Sequence, residues 1–249
     1  MSVRAFCFVV ALAWAAPATA AEPAPCALAK DGKALQRVVI GSKASEKTRA
    51  AAKNFAAYLG RITGGTFQVA EGDGDAGLAV GRAADFPKLK LADKFGADVT
   101  RREEYLLRSH ADGVWLVGAT DIAVEHAVWD VLYRVGYRQY FPGKAWEVVP
   151  SKRDLALAID CFEKPAYHSR RIWFGFGAAD YAAGPYADWC AKNRATAGIV
   201  LNTGHAYDGI LSRNKKAFAD HPEYLGLVNG ERKSKIGRAS CRERVSECV

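Results

Sequence analysis

The sequence predicts an α+β fold: a small sheet covered by two helices, followed by a second segment that opens as strand, helix, strand. Three observations carry this. Residues 114–143 read as an apolar strand, a capped helix and an exit into an aromatic-proline loop. A second stretch with one apolar helical stripe lies upstream, after Ser45. Beyond residue 168 the pattern changes to Arg170-Arg171-Ile172-Trp173-Phe174, then a helical stretch, then the wholly apolar Ile199-Val200-Leu201. At 249 residues, half of them hydrophobic, the chain can bury a sizeable core in one or two domains.

The two ends read as outside the fold. Residues 1–20 combine a basic start at Arg4, a short apolar run and the small residues Ala18 and Ala20. That is the pattern of a signal peptide cleaved after Ala20, and the run is too short for a membrane span. The expected location is therefore periplasmic or secreted. Residues 236–249 read I-G-R-A-S-C-R-E-R-V-S-E-C-V, with no apolar period and no turn logic. They resemble the in-frame translation of a sequencing-library adapter, a non-native tail. Native sequence is expected to stop near Lys235, inside a domain.

The formal net charge is +8, and each end carries one net positive charge, leaving +6 for the rest. Those basic residues are scattered. A nucleic-acid partner would want a basic stripe with interleaved aromatics, and none is visible. Cys26, Cys161 and Cys190 remain once the ends are set aside, an odd number whose pairing the sequence leaves open. No metal is expected: there is no His-Glu-x-x-His, no Cys-x-x-Cys, and the histidines are dispersed.

Along the chain, Asp31-Gly32 between residues 27–30 and 36–40 predicts a hairpin. Ser45 caps a helix with Ala52, Phe55, Ala56, Leu59 and Ile62 on one face, and Gly64-Gly65 stops it. Residues 67–70 and 78–80 are short strands. Between them Glu71-Gly72-Asp73-Gly74-Asp75 lacks the spaced ligands and closing Glu of a calcium loop and reads as a polar turn. Residues 87–100 are a Lys-rich connection. Residues 104–109 and 114–117 form a second hairpin with Asp112-Gly113 as its turn pair. Thr120 then caps the long helix, whose face is Val124, Val128, Val131, Leu132 and Val135, and Gly136 ends it. Residues 146–149 and 155–159 are closing strands, and 160–168 is a linker. Each helix has a single apolar stripe, so both should cover one face of the sheet.

The run from Val114 to Gly143 resembles the N-terminal domain of family 67 α-glucuronidases, and the related domain that precedes the barrel in family 20 hexosaminidases. The element order over residues 27–159 and the Gly60-Arg61-Ile62-Thr63-Gly64-Gly65 stretch fit the same resemblance. One departure is Asp121-Ile122-Ala123-Val124, where the family often has Arg-Gly, so a ligand role tied to that Arg does not carry over. Such domains flank a catalytic (β/α)8 barrel without supplying its acids.

In the second segment, Gly204-His205 and the run His221-Pro222-Glu223-Tyr224-Leu225-Gly226-Leu227-Val228-Asn229-Gly230-Glu231-Arg232 resemble the barrel region of the DUF4838 family. Its members are exported bacterial proteins with an α-glucuronidase-like domain in front, related to glycosidases. The resemblance implies that residues 169–235 begin a truncated (β/α)8-type barrel, whose loops after the strands form the functional rim.

Four residues of those loops are candidates for sugar contact. Trp173 can stack on the C–H face of a sugar or pack in the core. Asn202 can bridge vicinal hydroxyls or cap a strand end. His205 can bond a hydroxyl, orient a carboxylate, or be a structural loop histidine. Tyr207 can place its hydroxyl on the rim or pack beneath the loop. His221-Pro222-Glu223-Tyr224 reads as a turn and packing motif. The catalytic pair is not identifiable, because glycosidases need two carboxyl groups facing one bond and Glu223 alone does not supply them. Gly175-Phe176-Gly177 lacks the rest of a dinucleotide fingerprint, so no cofactor is expected. The reading is an inactive N-terminal fragment of an exported glycoside hydrolase-like protein that processes polysaccharide. The alternative is a non-catalytic carbohydrate-binding or scaffold protein. Two inward-facing acids at later strand ends of the parent would favour the enzyme.

Overall fold

The computed structural model describes residues 22–96, 98–170, 172, 184–196 and 207–233. The segments expected as signal peptide and tail, the stretch from Trp173 to 183, and residues 197–206 lie outside them. The chain divides into two units, 1–198 and 199–249.

In the first unit, β1 (Cys26–Lys30) turns back into β2 (Lys33–Ala34) through Asp31 and Gly32, whose φ angles of 51° and 77° suit the tight hairpin turn. The expected partner, residues 36–40, goes elsewhere: β3 (Val38–Ile40) leaves for a different sheet. Helix α1 (Glu46–Thr63) follows, capped as expected by Ser45 Oγ, which accepts from the Thr48 N–H at 3.1 Å, and closed by left-handed Gly64 at φ 83°. Then come β4 (Val69–Glu71), β5 (Gly77–Arg82), β6 (Tyr105–His110) and β7 (Gly113–Gly118). Helix α2 (Asp121–Arg134) has Thr120 at its N-cap, and Gly136 turns the chain out at φ 108°. The short ribbon β8 (Arg138–Gln139) and β9 (Glu147–Val148) precedes β10 (Leu155–Leu157) and β11 (Asp160–Glu163). Helix α3 (Gly184–Lys192) completes the unit.

The main sheet has six strands in the order β11-β6-β7-β5-β3-β4, and β10-β1-β2 form a second sheet. The hairpin-dominated sheet expected from the sequence is corrected here. Pairs β3–β4, β3–β5 and β5–β7 are parallel, and only β6–β7 and β11–β6 are antiparallel. Residues 160–163, expected as linker, are the edge strand β11.

Both helices cover one face, as their stripes predict. Phe55, Leu59 and Ile62 of α1 and Val124, Val128 and Leu132 of α2 pack on Val38, Leu78, Val80, Leu107, Val114 and Leu116. Alternate strand residues point the other way. Val39, Ala79, Leu106 and Val117 meet Phe86 and Leu91, with Leu89 and Phe95 packed alongside. The Lys-rich connection therefore is not idle: its 3₁₀ turns at Ala83–Asp85, Pro87–Leu89 and Ala92–Lys94 roof the second face. With both faces covered, β5 is buried over its first five residues. The helix N-termini are tied together, since the Ser45 and Thr48 hydroxyls both donate to Asp121 Oδ1, at 2.7 and 3.0 Å.

The second unit contains α4 (Tyr207–Arg213), α5 (Lys215–Asp220) and the hairpin β12 (Gly226–Val228) and β13 (Glu231–Lys233), turned by Asn229 and Gly230 at φ 53° and 81°. His221 to Tyr224 is the packing turn expected: the His221 ring stacks 4.9 Å from that of Tyr224, and its Nδ1 lies 2.9 Å from Glu223 Oε1.

Candidate functional site

The first unit holds a polar pocket of about 250 Å³ lined by Glu103, Tyr105, His126, Glu163, Arg170 and Arg194, among others. It lies where the start of β6 meets the inner face of α2. The chain after β11 closes it.

Glu103 lines it and Asp130 is bonded to two of its lining residues, Tyr105 and Arg194; both carboxylates are buried, 3% and 5% exposed. A buried carboxylate persists only if its oxygens are matched by donors. Glu103 pairs with Arg170 Nη2, and Thr196 Oγ1 lies 3.3 Å from both its oxygens. Asp130 receives the Tyr105 hydroxyl at 3.1 Å, Arg134 at 3.2 Å and Arg194 at 2.9 Å. Arg134 also reaches Glu163 at 2.9 Å, and Arg194 donates to the Tyr105 hydroxyl at 3.0 Å. Burial raises the Tyr105 phenol well above its ordinary value, so it acts as a neutral donor.

His126 faces Glu103, with Nδ1 3.6 Å from the carboxylate. Burial pushes the imidazole down to about 4. Glu103 pulls it up, and Arg170 and Arg194 push it down further. At neutral pH the contact is therefore one of neutral ring and carboxylate, not an ion pair.

Beside Tyr105, His126, Arg134 and Arg102, whose Nε lies 3.9 Å from Glu103, the two carboxylates take Arg170, Arg194 and Thr196 from the chain after β11. The pocket thus fastens the chain that follows the sheet. With the lone pairs of both acids engaged by arginines and hydroxyls, the arrangement holds structure together and does not present an acid and a base across an open cleft. Among the described residues no group of three His, Cys, Asp or Glu is placed to hold a metal ion. Cys26, Cys161 and Cys190 are free thiols. No helix of the described residues is long and apolar enough to cross a membrane.

Of the residues expected to touch sugar, Trp173, Asn202 and His205 lie outside the described residues. Tyr207 is described only as the first residue of α4. The sequence reading missed Glu103, His126, Asp130, Arg170 and Arg194. A signal for two of them was present: His126 and Asp130 are polar residues four apart, between Val124, Val128 and Val131 on the apolar side of α2.

No family model matches this chain, and no curated protein does. Among solved structures, a family GH115 4-O-methyl-α-glucuronidase with specificity for decorated arabinogalactans aligns with 89% of this chain at TM-score 0.49 and 12% identity. The GH20 β-N-acetylhexosaminidase of Streptomyces coelicolor A3(2) aligns with 62% at 0.40 and 19%, and the N-acetyl-β-hexosaminidase of Streptomyces plicatus with 61% at 0.37 and 17%. These neighbours are glycoside hydrolases. The aligned part spans 39%, 26% and 27% of their respective lengths.

Proposed function

We propose that this chain is the anchoring, non-catalytic part of an exported glycoside hydrolase-like protein that processes polysaccharide. The observation that carries the anchoring role is the pocket itself. Two buried carboxylates of the sheet domain, Glu103 and Asp130, are neutralised by Arg170 and Arg194 of the chain that follows. A domain that spends its buried charge in this way fixes where the next segment starts. The carbohydrate reading rests on the resemblance of residues 114–143 and 204–232 to the α-glucuronidase-associated domain and the DUF4838 barrel region. On that reading residues 169–235 begin the barrel, and Trp173, Asn202, His205 and Tyr207 sit on its sugar-binding rim.

Affinity electrophoresis through gels containing soluble plant or microbial polysaccharides tests this. The chain should be retarded by at least one of them, and Trp173→Ala and His205→Ala should each abolish the retardation without lowering Tm. Unchanged mobility in every gel, or lowered Tm with unaltered retardation in the variants, contradicts the reading.

A further inference from the structure

Lys192, the last residue of α3, is only 7% exposed. An ammonium is buried at a high cost in lost hydration unless its surroundings replace water. Here they do. Nζ lies 5.6 Å from the centroid of the Tyr58 ring and 5.7 Å from that of Trp129. Glu147 Oε1 is 3.7 Å away and Gln139 Oε1 accepts at 3.5 Å, while Asp188, one turn back on α3, is at 2.7 Å. Burial alone would lower the Lys192 pKa, but Asp188 and Tyr58 more than offset it and the net shift is upward. The lysine stays charged.

The surroundings are a preformed cage. Tyr58, Trp129 and Tyr137 hold one another at ring separations of 5.1, 5.0 and 5.6 Å. Glu147 is pinned by the Tyr58 hydroxyl at 2.8 Å, the Tyr137 hydroxyl at 2.9 Å and Arg61 at 2.6 Å. Tyr58 belongs to α1, Trp129 to α2, Tyr137 to the turn after it and Glu147 to β9. The aromatic walls and Glu147 are thus all supplied by the sheet domain, while α3 brings the cation and its nearest carboxylate, Asp188. Aromatic faces together with a carboxylate are the chemistry of ammonium recognition.

We propose that Tyr58, Trp129, Tyr137 and Glu147 form a primary-ammonium site that Lys192 fills in cis, and that its filling fastens α3 to the sheet domain. The neighbouring contacts, Trp189 Nε1 and Asn193 Nδ2 to the Gln139 carbonyl at 3.2 and 3.1 Å, orient the helix, and its buried charge is shared between the cage and Asp188.

Chemical rescue tests this in the full chain. Lys192→Ala removes three carbons and the ammonium, the shape of propylammonium. Backbone amides of residues 186–194 should then exchange at least about tenfold faster, with α1 and α2 unchanged. Excess propylammonium should restore the protection, and n-propanol, equal in shape but uncharged, should not. Unchanged exchange in the variant, rescue by propanol as good as by propylammonium, or rescue by neither overturns the proposal. If Lys192→Ala does not fold, Lys192→Met retains the packing and removes the charge. It should show the same local acceleration, and wild-type protection in that variant overturns the proposal equally.

Discussion

The Arg194 guanidinium lies 2.9 Å from the Asp130 carboxylate, in a pocket where Arg170 closes on Glu103. Asp130 sits on α2 and Arg194 just beyond α3, so this contact joins parts of the chain separated by the aromatic-proline loop and the four strands β8 to β11. Leaving Asp130 with Arg134 and Tyr105 alone would strand part of a buried charge. Arg194→Gln should therefore destabilise the first unit by about 2 kcal/mol, and a cycle with Asp130→Asn should give a coupling energy of about 1 kcal/mol or more. Urea unfolding of the four proteins measures both. Additive losses would remove the pair from the account.

Stability should fall with acid in two stages. His126 has a folded pKa of about 4, below the ordinary 6.5 of an unfolded histidine. Above pH 6.5 neither state is protonated and the group contributes nothing to pH dependence. As pH drops from 6.5 to 4 the unfolded chain takes up a proton that the folded one refuses, costing on the order of 3 kcal/mol. Glu147 acts lower: burial pushes it up, but Arg61, Tyr58 and Tyr137 outweigh that and hold it at about 2, against 4.5 ordinarily. Its contribution is present above pH 4.5 and lost as pH falls through 2. Denaturation midpoints between pH 8 and 3 should show the first loss, and His126→Phe should flatten it. A midpoint independent of pH from 7 to 4 would contradict the burial of a neutral ring.

Two glycines should respond oppositely to alanine. A Cβ at Gly113 would collide with the Gly77 carbonyl across the parallel β5–β7 pair. Gly184, at the start of α3, has nothing within 4 Å of that position. Gly113→Ala should cost about 2 kcal/mol or more, and Gly184→Ala should be neutral or stabilising by about 0.5 kcal/mol. Thermal unfolding reads both, and a tolerated Gly113→Ala would mean the two strands are further apart than described.

The local signals in the sequence were accurate where one residue decides the geometry. Ser45, Gly64, Thr120 and the Asp31-Gly32 turn each act within four residues of themselves, and each does what its chemistry demands. Partners were harder to read. Val38–Ile40 is apolar throughout, which suits a strand buried on both faces but does not say that it lies between β4 and β5. Asp160–Glu163 carries charge at both ends and no apolar run, and becomes a strand only because β6 offers it an open edge. The pocket was the least legible part. Asp130 stands out only by its place on the apolar side of α2 and Glu103 not at all; their partners Arg170 and Arg194 arrive from dozens of residues away, and no spacing rule connects them.

The central claim is that the sheet domain holds the chain after β11 through its buried acids. Arg170 pairs with Glu103 and also donates to the carbonyl of exposed Tyr167 at 2.6 Å, so losing it should free that stretch. The direct measurement is the rate of chymotryptic cleavage after Tyr167, followed by mass spectrometry, in the wild-type chain and in Arg170→Gln/Arg194→Gln. The account predicts cleavage at least about tenfold faster in the double variant while the fragment carrying β1 to β10 stays protease-resistant. Equal rates at Tyr167 in the two proteins would contradict it.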